Sequence, residues 1–451
     1  MVQTDPYKQA FHLQPFTGSL ADPNGICQVN GLFHIYYLVA PEAFTSTQKT
    51  PCIWAQYSTK DFIHYKNEPY AIFADHPCDR DGVYSGCVVT ADDQIHAIYT
   101  GNVRHSGNYD YIHAGREQNI LKTSSLDGIT FTSKHVLMRN NDFPDDMTNH
   151  VRDPHITYVN GCYQMVLGAR RNDDVGLALV YQSDDLEHFT FDRRITSEEP
   201  FGYMWECPEL LEIDGDDLLI TCPQGLTNER PFMLYKHQCG YFRIEDGYAA
   251  DFTSFDYGFD FYAARTFVDE QGRRILVGWM GMSESPYQPT PTAAFNYDQC
   301  LAMPREIIYK KHHIYQRPLE EFKNLRQSHI HDIGEDSHTY NDSLYELGLS
   351  LETSQDITIT FDGETTLSYD SHHHILSLTF HSVDELRDQR IMDLESLHNI
   401  HLFRDASSLE IFVNDGYATM TSRTFPTNHQ VDITAFKGTL DYYTLKGFII
   451  D

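Results

Sequence analysis

Basic residues are scarce in this chain: 33 Lys and Arg stand against 65 Asp and Glu, a formal net charge of −32 over 451 residues. Such a balance repels polyanions and excludes nucleic acid and anionic membranes as partners. Long apolar runs are also missing, and none approaches the roughly 18 residues of a membrane span. Residues 1–10 are polar and lack the apolar stretch of a secretory leader. The nine cysteines include no C-x-x-C pair. An odd, scattered set of this kind reads as reduced thiols in a cytoplasm. His312-His313 and His372 to His374 lack metal-ligand spacing and read as solvated loops, so neither metal nor cofactor is expected. What is present is ordinary globular material. The chain is 41% hydrophobic and 13% aromatic, and its length suits two or more domains.

Short β-rich runs separated by Gly, Asn, Asp and Pro fill the first three hundred residues, among them Leu32 to Val39, Ile95 to Thr100, Tyr163 to Gly168 and Ile275 to Trp279. Three stretches share a Ser, an Asp two or three places on and a closing aromatic: 58–65, 124–131 and 183–189. Their Asp61, Asp127 and Asp185 are 66 and 58 residues apart. A period near sixty suits four strands with turns, which is one propeller blade. Asp22, Ser85, Asp153, Glu206 and Asp260 keep the same beat, at separations of 63, 68, 53 and 54 residues. Five such features imply five blades, each delivering one residue to a shared axis.

Near residue 305 the character changes. All Trp and Cys precede it, and 318–327 carries Leu319, Phe322 and Leu325 on one helical face. Alternating strands follow, with Asn414-Asp415-Gly416 as a hairpin turn. The expected organisation is all-β: a five-bladed propeller over 1–308, a linker helix over 309–329 and a C-terminal β-sandwich over 330–451. Whether the protein is a monomer or a homo-oligomer stays open.

Three acids sit in constrained, proline-bearing contexts: Asp22 in D-P-N-G, Asp153 in R-D-P and Glu206 in W-E-C-P. A lone D-P-N-G also reads as a surface turn. Together the acids suit glycoside cleavage, which needs a nucleophile and an acid/base about 5–5.5 Å apart when configuration is retained. Asp22, in a turn with N–H donors nearby, suits the ionised role. Glu206, between Trp205 and Cys207, suits a protonated acid kept neutral by desolvation. Asp153 follows Arg152 and suits stabilisation of positive charge on the ring.

At these residues the chain resembles glycoside hydrolase family 32, the β-fructofuranosidases, and most closely its bacterial sucrose-6-phosphate hydrolases. The blocks that carry the resemblance are D-P-N-G (22–25), Y-S-G-C (84–87), R-D-P (152–154), E-C-P (206–208), D-Y-G-F-D-F-Y-A (256–263), G-W-M-G (278–281), L-A-M-P-R-E (301–306) and L-E-I-F-V-N-D-G (409–416). The resemblance implies a propeller with a C-terminal sandwich and a retaining mechanism without metal. It implies Asp22 as nucleophile, Glu206 as acid/base and Asp153 as transition-state stabiliser. It places Trp54 and Ser85 in the fructose pocket and Arg152 and Asp260 around it. Core packing for Trp54 and a capped turn for Asp260 are the alternatives. Five positions depart from the family pattern: Ser19 where a large apolar residue is usual, Ala21 where Asn is usual, Leu38 where Gln is usual, Tyr84 for Phe and Cys87 for Ser. The expected substrate is a small carbohydrate: sucrose, its 6-phosphate or short fructans. Fructosyl transfer, or fructoside binding with weak turnover, are the competing expectations. A phosphorylated substrate would need a local cation, for which Arg104 and His105 are the candidates, with Arg116 as the alternative.

Overall fold

The computed structural model describes all residues except 1–4, 47–49, 227–235, 286 and 382–387. Five antiparallel sheets form the first part of the chain. Their innermost strands are Gly18–Val29, Val83–Ala91, Met147–Val159, Met204–Ile213 and Tyr262–Val268. Each packs against the next and the fifth against the first, which closes a five-bladed propeller around one axis. The first blade carries two parallel additions. Tyr297–Asp298 pairs with its inner edge and Ile449–Ile450 with its outer strand, so the end of the chain ties back to the beginning.

The repeat read from Asp61, Asp127 and Asp185 is one recurring turn. Each carboxylate accepts from two backbone N–H groups, at 3.0 and 2.8 Å for Asp61, 2.8 and 2.8 Å for Asp127, and 2.9 and 2.8 Å for Asp185. A short acidic side chain that satisfies the turn's donors locally explains why this residue recurs.

The innermost strands share a second feature. Every one slips register against its neighbour where the chemistry-bearing residues lie: around Asp22, Ser85, Asp153, Cys207 and Ala263. Asp153, Cys207 and Ala263 have φ of 61°, 50° and 50°. A bulge breaks the two-residue alternation and re-aims a side chain, here towards the axis. Gly168 serves the same region, because a Cβ there would collide with the Trp205 carbonyl oxygen.

The linker-helix expectation is corrected. Residues Arg305–Lys310 and His313–Pro318 are the outer strands of the fifth blade, with Ile307, Tyr309, Ile314 and Gln316 alternating inward. Only Glu320–Leu325 is helical, and it is a 3₁₀ turn. The apolar spacing of three at Leu319, Phe322 and Leu325 fits a helix of three residues per turn, and all three are buried. The sandwich follows as two six-stranded antiparallel sheets with its own apolar core.

Propeller and sandwich are joined by a buried ionic seam. The Asp405 carboxylate accepts from Ala10 N–H and Phe11 N–H, both at 2.8 Å. Arg305 Nη2 donates to Glu410 Oε2 at 2.6 Å. Asp260 belongs to this seam as well: it accepts from Arg423 N–H at 2.8 Å and from the Tyr287 hydroxyl at 2.9 Å.

Candidate active site

At one end of the propeller axis a cavity of about 510 Å³ opens, lined by all three predicted acids. The acids form one connected cluster. Ser85 Oγ donates to Asp22 Oδ2 at 2.5 Å, and the Cys207 thiol points at the same oxygen from 3.7 Å. The same thiol lies 3.9 Å from Asp153 Oδ2, which also accepts from Cys207 N–H at 3.1 Å. Arg152 links the remaining pair, with Nη2 donating to Glu206 Oε1 at 2.6 Å and Nε 3.7 Å from Asp153. Burial and the adjacent carboxylates push the Cys207 thiol well up, so it stays neutral and serves as a donor.

Asp22 is half-buried, and its pKa is raised to about 7. Burial is the main cause, opposed by the Ser85 hydrogen bond and reinforced by the charges of Glu206 and Asp153. The N–H-donor argument made from the D-P-N-G turn therefore has the wrong sign here, because desolvation outweighs the donors. Burial also pushes Asp153 up, with Arg152 opposing it. Arg265, buried beneath the cluster, lowers both aspartates and donates from Nη1 to Pro208 O at 2.8 Å.

Glu206 does not sit in the apolar niche expected from Trp205 and Cys207. Trp205 is turned away and stacks on Phe242, with Nε1 donating to Phe201 O at 2.8 Å. Besides Arg152, Glu206 accepts from Gln224 Nε2 at 2.7 Å and from the Tyr262 hydroxyl at 2.8 Å. These fix the carboxyl plane against the cavity. Arg152 Nη1 donates to His150 Nδ1 at 2.7 Å, while His150 Nε2 faces Tyr111 O at 3.0 Å. Burial, then Arg152 and Arg116, hold the His150 pKa down at about 3, so the ring is neutral with its proton on Nε2.

Ala21, Leu38 and Tyr84 line the cavity wall, so the departures at 21 and 38 face the space a sugar would fill. Trp54 does not line it. It is fully buried between Tyr36 and Tyr99, and its Nε1 donates to Tyr84 O at 3.1 Å. With its oxygen turned towards them, the Asn24 amide accepts from Leu38 N–H at 3.0 Å and Trp54 Nε1 at 3.1 Å. Trp54 thus supports the strand that carries Leu38. Asp260 is likewise absent from the cavity. The innermost strand of the fifth blade contributes Tyr262, two residues later, and Asp260 instead docks that blade on the sandwich.

Sequence reasoning missed Tyr262, Gln224, His150, Gln118, Arg170, Tyr203 and Trp279, all of which line the cavity. Tyr262 and Trp279 stood inside quoted motif blocks; the others carried no local signal. Arg104 and His105 do not line it. Arg104 lies over the Tyr111 ring at 4.1 Å, and His105 pairs with Glu117 at 2.7 Å. Arg116 does reach the cavity.

Comparison with known proteins agrees with this geometry. Residues 12–318 match the "Glycosyl hydrolases family 32 N-terminal domain" and residues 309–446 the "Glycosyl hydrolases family 32 C terminal". A sucrose-6-phosphate hydrolase of Bacillus subtilis (strain 168) is 34% identical, covering 96% of this chain and 93% of the relative. One from Klebsiella pneumoniae is 33% identical, covering 94% and 89%. The solved structure of a sucrose-6-phosphate hydrolase from Lactobacillus gasseri superposes with a TM-score of 0.89 at 24% identity, covering 99% of this chain and 94% of that one. A Bombyx mori family 32 β-fructofuranosidase mutant in complex with sucrose gives 0.84 at 25%, covering 99% and 95%. The chain belongs to glycosyl hydrolase family 32 and is a glycoside hydrolase of the β-fructofuranosidase type.

Proposed function

We propose that the enzyme cleaves a terminal β-fructofuranosyl bond with net retention, and that its preferred substrate is sucrose 6-phosphate. Asp22 attacks the anomeric carbon of the fructosyl ring while Glu206 protonates the departing glycosidic oxygen. Glu206 then takes a proton from water as that water displaces Asp22 from the fructosyl ester. Asp153, beside Arg152, accepts from ring hydroxyls and stabilises the positive charge that develops on the ring in the transition state of each step. The three acids around one cavity, bridged by Cys207 and Arg152 with Ser85 donating to Asp22, support this division of roles.

The phosphate preference rests on Arg116. It lines the cavity half-buried, and among the described residues no carboxylate pairs with it, although acids outnumber bases two to one. Its Nε is buried without a hydrogen-bond partner. Burial, then Arg152 and Arg104, press its pKa down, a penalty that a bound dianion relieves. Arg170, stacked on Tyr203 at 4.5 Å, lines the same cavity. A phosphorylated sugar does not cross a membrane unaided, and nine scattered cysteines without a C-x-x-C pair suit the same reducing compartment, the cytoplasm. Arg116→Met should lower the ratio of kcat/KM for sucrose 6-phosphate over sucrose by roughly tenfold to a hundredfold, the worth of one charge-assisted contact. An unchanged ratio overturns the phosphate reading.

A second expectation concerns pH. Because Asp22 must be ionised to attack, and its pKa lies near 7, kcat/KM should fall below neutrality, about tenfold per pH unit once well below the midpoint. Ser85→Ala removes a donor that favours the anion, so the midpoint should move to higher pH. A midpoint in the ordinary carboxylate range near 4, unaffected by Ser85→Ala, contradicts the desolvated nucleophile.

A further inference from the structure

On the outer face of the sandwich, away from the catalytic cavity, lies a group that the fructosidase chemistry does not use. His329 and His331 alternate onto one face of the edge strand Arg326–Ile333. Register sets His331 opposite Asp441 and His329 opposite Tyr443 on the neighbouring strand Gly438–Leu445. His329 Nε2 lies 2.7 Å and His331 Nδ1 3.0 Å from the same oxygen, Asp441 Oδ1. The three ligating atoms all lie within 4.8 Å of one another, and among the described residues no other three His, Cys, Asp or Glu side chains converge in this way.

We propose that His329, His331 and Asp441 bind one divalent transition-metal cation of the imidazole-preferring kind, with zinc as the representative. Two imidazoles and one carboxylate are a ligand set such ions accept, with water completing the coordination. Zn–N and Zn–O bonds near 2.0–2.1 Å put tetrahedral ligand atoms about 3.4 Å apart, which small rotations of these side chains reach. Each imidazole need only carry its proton on the far nitrogen. The surroundings favour an ion. The His329 ring is held by stacking on Tyr443, 4.3 Å between centroids at 8°, so part of its ordering cost is already met. Across the next strand Asp441 faces Gly348, whose missing side chain leaves that flank open to solvent ligands. Arg326, which lies over the same Tyr443 ring, is engaged with Glu346 at 2.5 Å.

A bound ion would staple an exposed edge strand to its neighbour, a place where sheets are otherwise prone to fray or to pair with other chains. The test is calorimetric titration of the full chain with zinc chloride at neutral pH, alongside melting curves. One zinc per chain should bind, with a higher Tm in its presence. His329→Gln with His331→Gln should weaken binding by roughly a hundredfold and abolish the Tm gain. Hydrolysis of sucrose by that variant, expected unchanged, verifies that it is folded. No binding by the wild-type chain at millimolar zinc, or equal affinity in the double variant, overturns the proposal.

Discussion

Asp22→Asn lowers kcat by about 10⁴-fold or more while sugar binding persists, because the amide keeps the shape of the carboxylate but cannot form the fructosyl ester. The structure adds a second expectation for the same variant. The Asp22 pKa is raised in the folded chain, to about 7 from an ordinary 3.8, so the folded state holds a proton that the unfolded state has released. Between those two values stability falls as pH rises, and above about 7 the full cost of a buried carboxylate among Asp153 and Glu206 is present. A neutral amide carries no such cost. Asp22→Asn should therefore melt higher than the wild type at pH 8, and the gain should vanish towards pH 3, where both residues are neutral. An inactive variant that is also less stable at pH 8 would mean that Asp22 is held by favourable interactions, against the desolvation account.

Glu206→Gln loses roughly 10²–10⁴-fold on sucrose, whose leaving alkoxide needs a proton, and far less on an aryl fructoside with an acidic leaving group. Arg152 still has an oxygen to bond in the variant, but the amide NH₂ replaces the oxygen that accepts from Gln224 and Tyr262. The carboxyl plane is thus held by fewer partners, and some loss on every substrate is expected. The leaving-group dependence is the signature of proton donation, and plots of log kcat against leaving-group pKa measure it. Equal losses on sucrose and on an aryl fructoside would remove Glu206 from the acid role.

The sequence was most legible where one residue type meets a local demand. Asp61, Asp127 and Asp185 recur because each caps the same turn, so the blade period could be counted without any long-range information. Asp22, Asp153 and Glu206 stood out through their prolines, and all three line the cavity. Counting failed at the fifth blade, where the beat lands on Asp260, but the bulge that turns a side chain towards the axis begins at Tyr262. Trp205 was misjudged because a neighbour in sequence is not a neighbour in space on a strand: it packs on Phe242, and the partners of Glu206 come from residues 152, 224 and 262. The stripe at 319, 322 and 325 does lie on one helical face, but its spacing of three belongs to a single 3₁₀ turn and not to a linker helix. Arg116 could be named as an anion partner only as an alternative, since its lack of a carboxylate is a fact of packing.

The central claim is a covalent fructosyl–Asp22 intermediate, and rapid-quench peptide mass analysis tests it most directly. Glu206→Gln treated with an aryl fructoside forms the ester without help from a general acid, and then lacks the base that would activate water for its hydrolysis. The peptide containing Asp22 should gain one anhydrofructose unit within the first turnover, with the modification on the Asp22 side chain. Steady release of aryl alcohol with no modified peptide, or the sugar found on Asp153 instead, would contradict the account.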